Sequence, residues 1–224
     1  MGADEAHIFT SDDIYDASDK SYPEVLQHFT GLPTLSFGFP GATSDEISSM
    51  YTGLASKQSS LIARPFNSEA EPDSIAHEGD VLIVEMGSNG GWEDYDELIA
   101  QYWEMIEYGG CTDYLVLGDT DDPGTSYSDQ NQWQLPYGAG TQETLWEQAL
   151  HEAFGDHFVN LRVYLVEHGL EVTGLEATHE DTENAQTGCI SEQLRADHTH
   201  LNSYGYYAQD RAVYEQGVLL GYWS

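Results

Sequence analysis

The chain has 224 residues, and its 40 Asp and Glu against 6 Lys and Arg give a formal net charge of −34. That charge excludes an unaided nucleic-acid binder and a polybasic membrane-surface protein, because little cationic surface is present to meet phosphate groups. Hydrophobic residues make up 40% of the sequence, so the composition favours a folded core over disorder.

The hydrophobic pattern alternates between strands and helices along the chain. Strand patterns occupy residues 6–10, 34–39, 80–86, 114–117 and 157–165. A helical period with capping residues predicts helices over 22–30, 43–56, 93–108, 141–154 and 203–220. Residues 181–186 give no clear preference. Strands that alternate with helices predict an α/β fold with a parallel sheet covered on both faces, in a single domain spanning 1–224.

Local residues mark several of these boundaries. Thr43 to Glu46 (TSDE) form a capping box at the start of a helix, and Gly110 ends the helix over 93–108. The run over 80–86 is continuously apolar, as in a strand buried on both faces. The polar loop over 119–140 is long enough to border a substrate pocket.

Candidate functional residues follow the predicted strands, where open parallel sheets bind their ligands. Gly41 lies between a strand and a helix N-cap, so its backbone N–H either faces an anion or serves a tight turn. Asn89 either donates its amide to an oxyanion or fills a left-handed turn position. Asp197, three residues before His200, can orient the imidazole as a general base. A metal site there is disfavoured, because no third soft ligand has suitable spacing.

Together these segments resemble the conserved blocks of the SGNH hydrolases, also called GDSL-type lipases and acylhydrolases. The glycine of the second block matches Gly41 within SFGFPGATS, and the GxN of the third block matches Gly87 to Asn89. The DxxH of the fifth block matches Asp197 and His200. The resemblance covers nearly the whole chain and is closest to a bacterial subgroup. It implies a flavodoxin-like three-layer α/β/α sandwich with a five-stranded parallel sheet.

The resemblance also implies a role for each matched position. His200 would be the general base and Asp197 would orient it, while the Gly41 N–H and the Asn89 side chain would line an oxyanion hole. The implied reaction is hydrolysis of a small-molecule acyl ester or carbohydrate ester, without a cofactor and without a metal.

The first block departs from the family pattern. The family carries Gly-Asp-Ser after the first strand, whereas this chain has Ser11-Asp-Asp13, so that Asp13 occupies the position of the nucleophilic serine. In the favoured interpretation the site is impaired or inactive, since a carboxylate there pairs with His200 and opposes an oxyanion. Alternatively, Ser11 acts as the nucleophile after a two-residue shift. In a third interpretation, Asp13 itself is the nucleophile.

A non-catalytic protein on the same scaffold is the alternative function: either a ligand-binding protein or an engineered, highly acidic variant. The charge is typical of halophilic adaptation or negative supercharging, because about 1 M salt shortens the Debye length to roughly 3 Å and screens self-repulsion. The chain starts without a basic n-region or an apolar segment, and its cysteines, Cys111 and Cys189, are too few for a disulfide framework. A cytoplasmic protein with no membrane or nucleic-acid partner is therefore expected.

Overall fold

The computed structural model describes residues 22–34, 42–52, 78–87, 89, 94–120, 140–197 and 200–223. Within these ranges it contains seven α-helices and three β-strands, which makes the fold mixed α/β. The helices are α1 (Tyr22–Thr30), α2 (Ser44–Tyr51), α3 (Tyr95–Gly109), α4 (Leu145–Phe154), α5 (Leu161–Val172), α6 (His179–Thr187) and α7 (Ser203–Leu220). The strands are β1 (Val81–Glu85), β2 (Asp113–Leu117) and β3 (Phe158–Val159).

The three strands form one parallel sheet in the order β1-β2-β3. Val81 pairs with Asp113 at one end of the β1–β2 ladder, and Glu85 pairs with Leu117 at the other. The carboxyl ends of β1 and β2 therefore lie side by side, as the alternation of strands and helices predicts.

Successive side chains of each strand enter two separate cores, because strand residues alternate between the faces of a sheet. Leu82 and Val84 of β1 pack with α2, α3 and α4 on one face. Leu115 and Leu117 of β2 pack with α1, α5 and α7 on the other face. Helices thus cover both faces of the sheet, which explains why β1 and β2 read as nearly continuous apolar runs.

The predicted helix signals are mostly confirmed. The capping box at Thr43 is present: its hydroxyl accepts from the Glu46 N–H at 3.2 Å, and the Glu46 carboxylate accepts from the Thr43 N–H at 3.0 Å. Gly110 ends α3 with a left-handed φ of 69°. The helices predicted over 22–30 and 203–220 have the observed bounds, whereas α2 ends at Tyr51 and α4 begins only at Leu145.

The strand predicted over 157–165 is wrong beyond its first residues. Only Phe158–Val159 is a strand, and α5 begins two residues later. The Asn160 side chain accepts from the Val163 N–H at 3.1 Å and so caps this helix. The described residues thus hold three of the five predicted strands. The segments over 6–10 and 35–39 lie outside them, and Thr34 is not in a strand.

A buried ion pair joins α4 to α5. The Arg162 guanidinium is almost fully buried and donates to both carboxylate oxygens of Glu147, each at 2.7 Å. It also donates to the backbone carbonyls of Gly140, Gln142 and Gly188, at 3.0, 2.9 and 3.0 Å. Because each contact uses a guanidinium N–H, this one cation holds two helices and the segments before α4 and after α6 together.

Candidate functional site

The exit of β1 is fixed by a buried tyrosine. The Tyr102 hydroxyl donates to the Met86 carbonyl at 2.7 Å and accepts from the Met86 N–H at 3.2 Å. Gly87 follows with a φ of 122°, and a Cβ there would lie 2.9 Å from the Trp146 ring. Only glycine suits this backbone, both for its conformation and for its close packing. The chain then turns to present Asn89 at an exposed position.

Asp197 and His200 form a hydrogen-bonded pair. His200 Nδ1 lies 2.9 and 3.0 Å from the two Asp197 carboxylate oxygens, and the His200 backbone N–H donates to one of them at 2.7 Å. Because an ionised carboxylate only accepts, Nδ1 carries a proton, and in the neutral imidazole Nε2 therefore keeps a lone pair. Both side chains are about half exposed, at 41% for His200 and 51% for Asp197. This arrangement suits an imidazole that takes a proton from a ligand.

The turn that carries this pair is held by its own backbone and by Asn202. Arg195 and Leu201 form an antiparallel bridge, and the Ala196 N–H donates to the His200 carbonyl at 2.9 Å. The Asn202 amide donates to the carbonyls of Gln193 and Arg195, at 2.9 and 3.2 Å. These contacts fix both arms of the turn to the residue that immediately precedes α7.

The same Asn202 side chain also starts α7. Its carbonyl oxygen accepts from the N–H groups of Tyr204 and Gly205, at 2.9 and 3.1 Å, which makes it the N-cap. A Cβ on Gly205 would collide with the Leu194 carbonyl oxygen, so glycine lets the first turn of α7 pack against the segment before the Asp197–His200 turn.

Arg195 ties this turn to the sheet. Its guanidinium, 6% exposed, donates to the carbonyl of Thr120 at 2.7 Å. Thr120 is three residues beyond the end of β2, and Arg195 is two residues before Asp197. The hydrogen-bonded Asp–His pair is therefore anchored at the carboxyl end of β2, the edge at which parallel sheets bind ligands.

A buried carboxylate, that of Asp181, supports the segment that leads into the turn. Asp181 of α6 accepts from the Ser191 hydroxyl at 2.6 Å, the Gln193 amide at 2.7 Å and the Thr178 N–H at 2.8 Å. Burial alone would raise the pKa of Asp181, but these hydrogen bonds together outweigh it and lower the pKa.

Acidic side chains also gather at the ends of β1 and β2. Glu85 is the last residue of β1, and the Gln209 amide of α7 donates to its carboxylate at 3.0 Å. Glu85 is exposed as a residue, but the protein packed around its carboxylate raises its pKa, and the charge of Asp119, just after β2, adds to the effect. Asp210, the next residue of α7, is fully buried. Its pKa is raised well above the usual range by burial and by Glu85.

Of the residues predicted from sequence, the structure brings Asp197 and His200 together and places Asn89 at the exposed turn after β1. Asp13, the alternative nucleophile Ser11 and the oxyanion-hole candidate Gly41 lie outside the described residues. Among the residues that are described, no group of three or more His, Cys, Asp or Glu side chains could hold a metal ion.

Sequence reasoning missed the residues that position the pair. Asn202 precedes an apolar helical pattern, so the ordinary N-cap signal could have identified it. Arg195 gave no comparable signal, because its partner Thr120 lies 75 residues away in the chain. The same holds for Tyr102 and for Asp210, whose burial depends on how α3 and α7 pack.

Comparison of the chain with protein-family models, with curated proteins and with solved structures finds no significant match. None of the helices in the described part of the chain combines the length and apolar content needed to cross a membrane.

Proposed function

We propose that this chain is an ester-hydrolase scaffold of the SGNH type, with a five-stranded flavodoxin-like sheet, in which Asp13 replaces the nucleophilic serine and impairs or abolishes turnover. The observation that carries the proposal is the Asp197–His200 pair. Its Nδ1 contact of 2.9 Å leaves Nε2 as the basic atom, and Arg195 anchors the pair at the carboxyl end of β2.

In the proposed reaction, His200 Nε2 takes the proton from a nucleophile, and Asp197 orients the ring and stabilises the imidazolium. A serine at position 13 would supply a hydroxyl for that proton transfer. The Asp13 carboxylate has no such proton at neutral pH, and it would bring negative charge to the place where an oxyanion develops. The intact acid–base pair and the altered nucleophile position together suggest a hydrolase scaffold that has lost its nucleophile.

The test is hydrolysis of p-nitrophenyl acetate and butyrate in about 2 M KCl, where surface repulsion is screened. The given chain is compared with Asp13→Ser, with the matched control Asp13→Asn, and with Asp13→Ser/His200→Ala. We expect the given chain and Asp13→Asn to be inactive and Asp13→Ser to gain turnover. Removing His200 should then lower that gained rate by roughly 10²–10⁴-fold, the usual contribution of a general base.

Two results would contradict the proposal in different ways. If Asp13→Ser gains no turnover that depends on His200, the hydrolase assignment is wrong and the non-catalytic alternative replaces it. If the given chain already hydrolyses the esters and His200→Ala abolishes this hydrolysis, the proposed loss of activity is wrong. Mass spectrometry of a trapped acyl-enzyme would then show whether Ser11 or Asp13 is the nucleophile.

A further inference from the structure

Asp210 lies in the middle of α7 and is 0% exposed. Neither of its carboxylate oxygens has a hydrogen-bond partner among the described residues. An ionised carboxylate in this position would lose its hydration without compensation, which is one of the most expensive arrangements a protein core can contain. Protonation removes that cost, so the neutral acid is the form compatible with this packing.

Glu85 makes ionisation of Asp210 still less favourable. Glu85 is the last residue of β1. Its carboxylate accepts a hydrogen bond at 3.0 Å from the side-chain amide of Gln209, the residue before Asp210 in α7. Of the described groups, Glu85 is the one whose charge adds to burial in raising the pKa of Asp210. Glu85 itself is exposed, so the loss of hydration belongs to Asp210, and the charge of Glu85 adds to it and keeps the proton on Asp210 to higher pH. We call Glu85 and Asp210 the carboxyl pair.

Among the described residues, the charged groups near α7 do not compensate the carboxyl pair. Asp119, beyond β2, adds negative charge next to Glu85. Arg211, the next residue of α7, is bonded instead to Glu215 at 2.8 Å. That ion pair is about 40% exposed, at 39% and 42%. On the helices beside α7, Glu24 and His28 of α1 and Glu167, His168 and Glu171 of α5 are exposed. Arg162 of α5 is bonded to Glu147, and Tyr164 of α5 donates to Glu215.

We propose that the carboxyl pair controls the packing of α7 on β1 through its protonation: the packing is stable while the pair holds a proton and weakens as the pair ionises. Because Asn202 joins the start of α7 to the Asp197–His200 turn, ionisation also loosens the turn. The effect on stability stands without any catalytic activity, whereas its consequence for turnover rests on the proposed function.

The direction of the pH effect follows from the raised pKa values. A group whose pKa is higher in the folded than in the unfolded state stabilises the fold fully below its unfolded value and loses that contribution as pH rises through its folded value. For Asp210 the loss begins above its ordinary value of 3.8 and extends into more alkaline solution.

The experiment measures the urea midpoint from about pH 5 to pH 9 in about 2 M KCl, where surface charge is screened. The variants are Asp210→Asn and Glu85→Gln, with Glu107→Gln on the exposed face of α3 as the matched control. The given chain and the control should lose stability as pH rises. Asp210→Asn should lose less and exceed the given chain at pH 9, and Glu85→Gln should also lose less, because it removes the charge that repels Asp210.

A second measurement tests the pair directly and does not depend on the variants being equally stable. Infrared spectra of the given chain near pH 6 should contain the carbonyl band of a protonated carboxylic acid that Asp210→Asn lacks. Hydrogen exchange of residues 202–205, compared at one alkaline pH, should be slower in Asp210→Asn than in the given chain. A midpoint independent of pH, an unchanged slope in both variants, or absence of the acid band would overturn the proposal.

Discussion

Asn202 offers a sharp test of how the Asp197–His200 turn is held, because its side chain performs two separable tasks. Its carbonyl oxygen caps α7, and its amide donates to Gln193 and Arg195. Loss of an N-cap costs about 1 kcal/mol, and each of the two amide hydrogen bonds contributes roughly 0.5–1.5 kcal/mol. Asn202→Ala should therefore lower the free energy of unfolding by about 2–4 kcal/mol.

Asn202→Ser is the matched variant, since its hydroxyl can still cap the helix but cannot reach both carbonyls. It should recover about 1 kcal/mol of the stability lost in Asn202→Ala, the contribution of the cap. Equilibrium urea unfolding in about 2 M KCl measures both variants, and the Nδ1–H resonance of His200 in NMR spectra reports the bond to Asp197.

We expect the Nδ1–H resonance of His200 to broaden in both Asn202→Ala and Asn202→Ser, although only Asn202→Ala lacks the cap. If Asn202→Ser has the stability of the given chain and an unchanged His200 resonance, the amide contacts do not position the turn. If both variants lose the same free energy of unfolding, the side chain does not act as a cap.

The remaining predictions concern the core, the turn after β1 and the charge. Arg162→Met should cost about 3–5 kcal/mol in urea unfolding, because it leaves the buried Glu147 carboxylate without its cation; a loss below about 1 kcal/mol would contradict this. Gly87→Ala should cost about 1–3 kcal/mol, since its Cβ meets Trp146 at a left-handed φ; an unchanged Tm would refute it. In the given chain, the lowered pKa of Asp181 contributes stability that is present above pH 3.8 and is lost as pH falls through the folded pKa. Asp181→Asn should remove this contribution, and an unchanged dependence of stability on acid pH would be inconsistent with it. Finally, Tm should be higher in about 1–2 M KCl than in dilute buffer, and a flat or falling salt dependence would disprove screening of the −34 charge.

Much of the local structure could be predicted because its causes are local. The Thr43 capping box, the glycine that ends α3 and the bounds of α7 depend on residues within one or two helical turns. The strand assigned to 157–165 failed for a tertiary reason. Its apolar residues suit either a strand or a helix. In the observed helix, Arg162 is buried against Glu147.

The candidate site divides in the same way. The spacing of Asp197 and His200 predicted their hydrogen bond. A carboxylate three residues before a histidine can reach both the imidazole ring and the backbone N–H. The predicted site residues Asp13 and Gly41 lie outside the described part of the chain and stay predictions.

By itself, then, the sequence determined the acidic surface, the alternation of strands and helices, and the Asp–His pair, because composition and near-neighbour spacing set these features. Tertiary structure alone decided that Arg195 binds Thr120 across 75 residues and that Gln209 reaches Glu85 across 124. It also decided that Asp210 is fully buried. Such features arise from the packing of α7 against the sheet, and the pKa of a carboxyl group responds to that surrounding protein rather than to its neighbours in the chain.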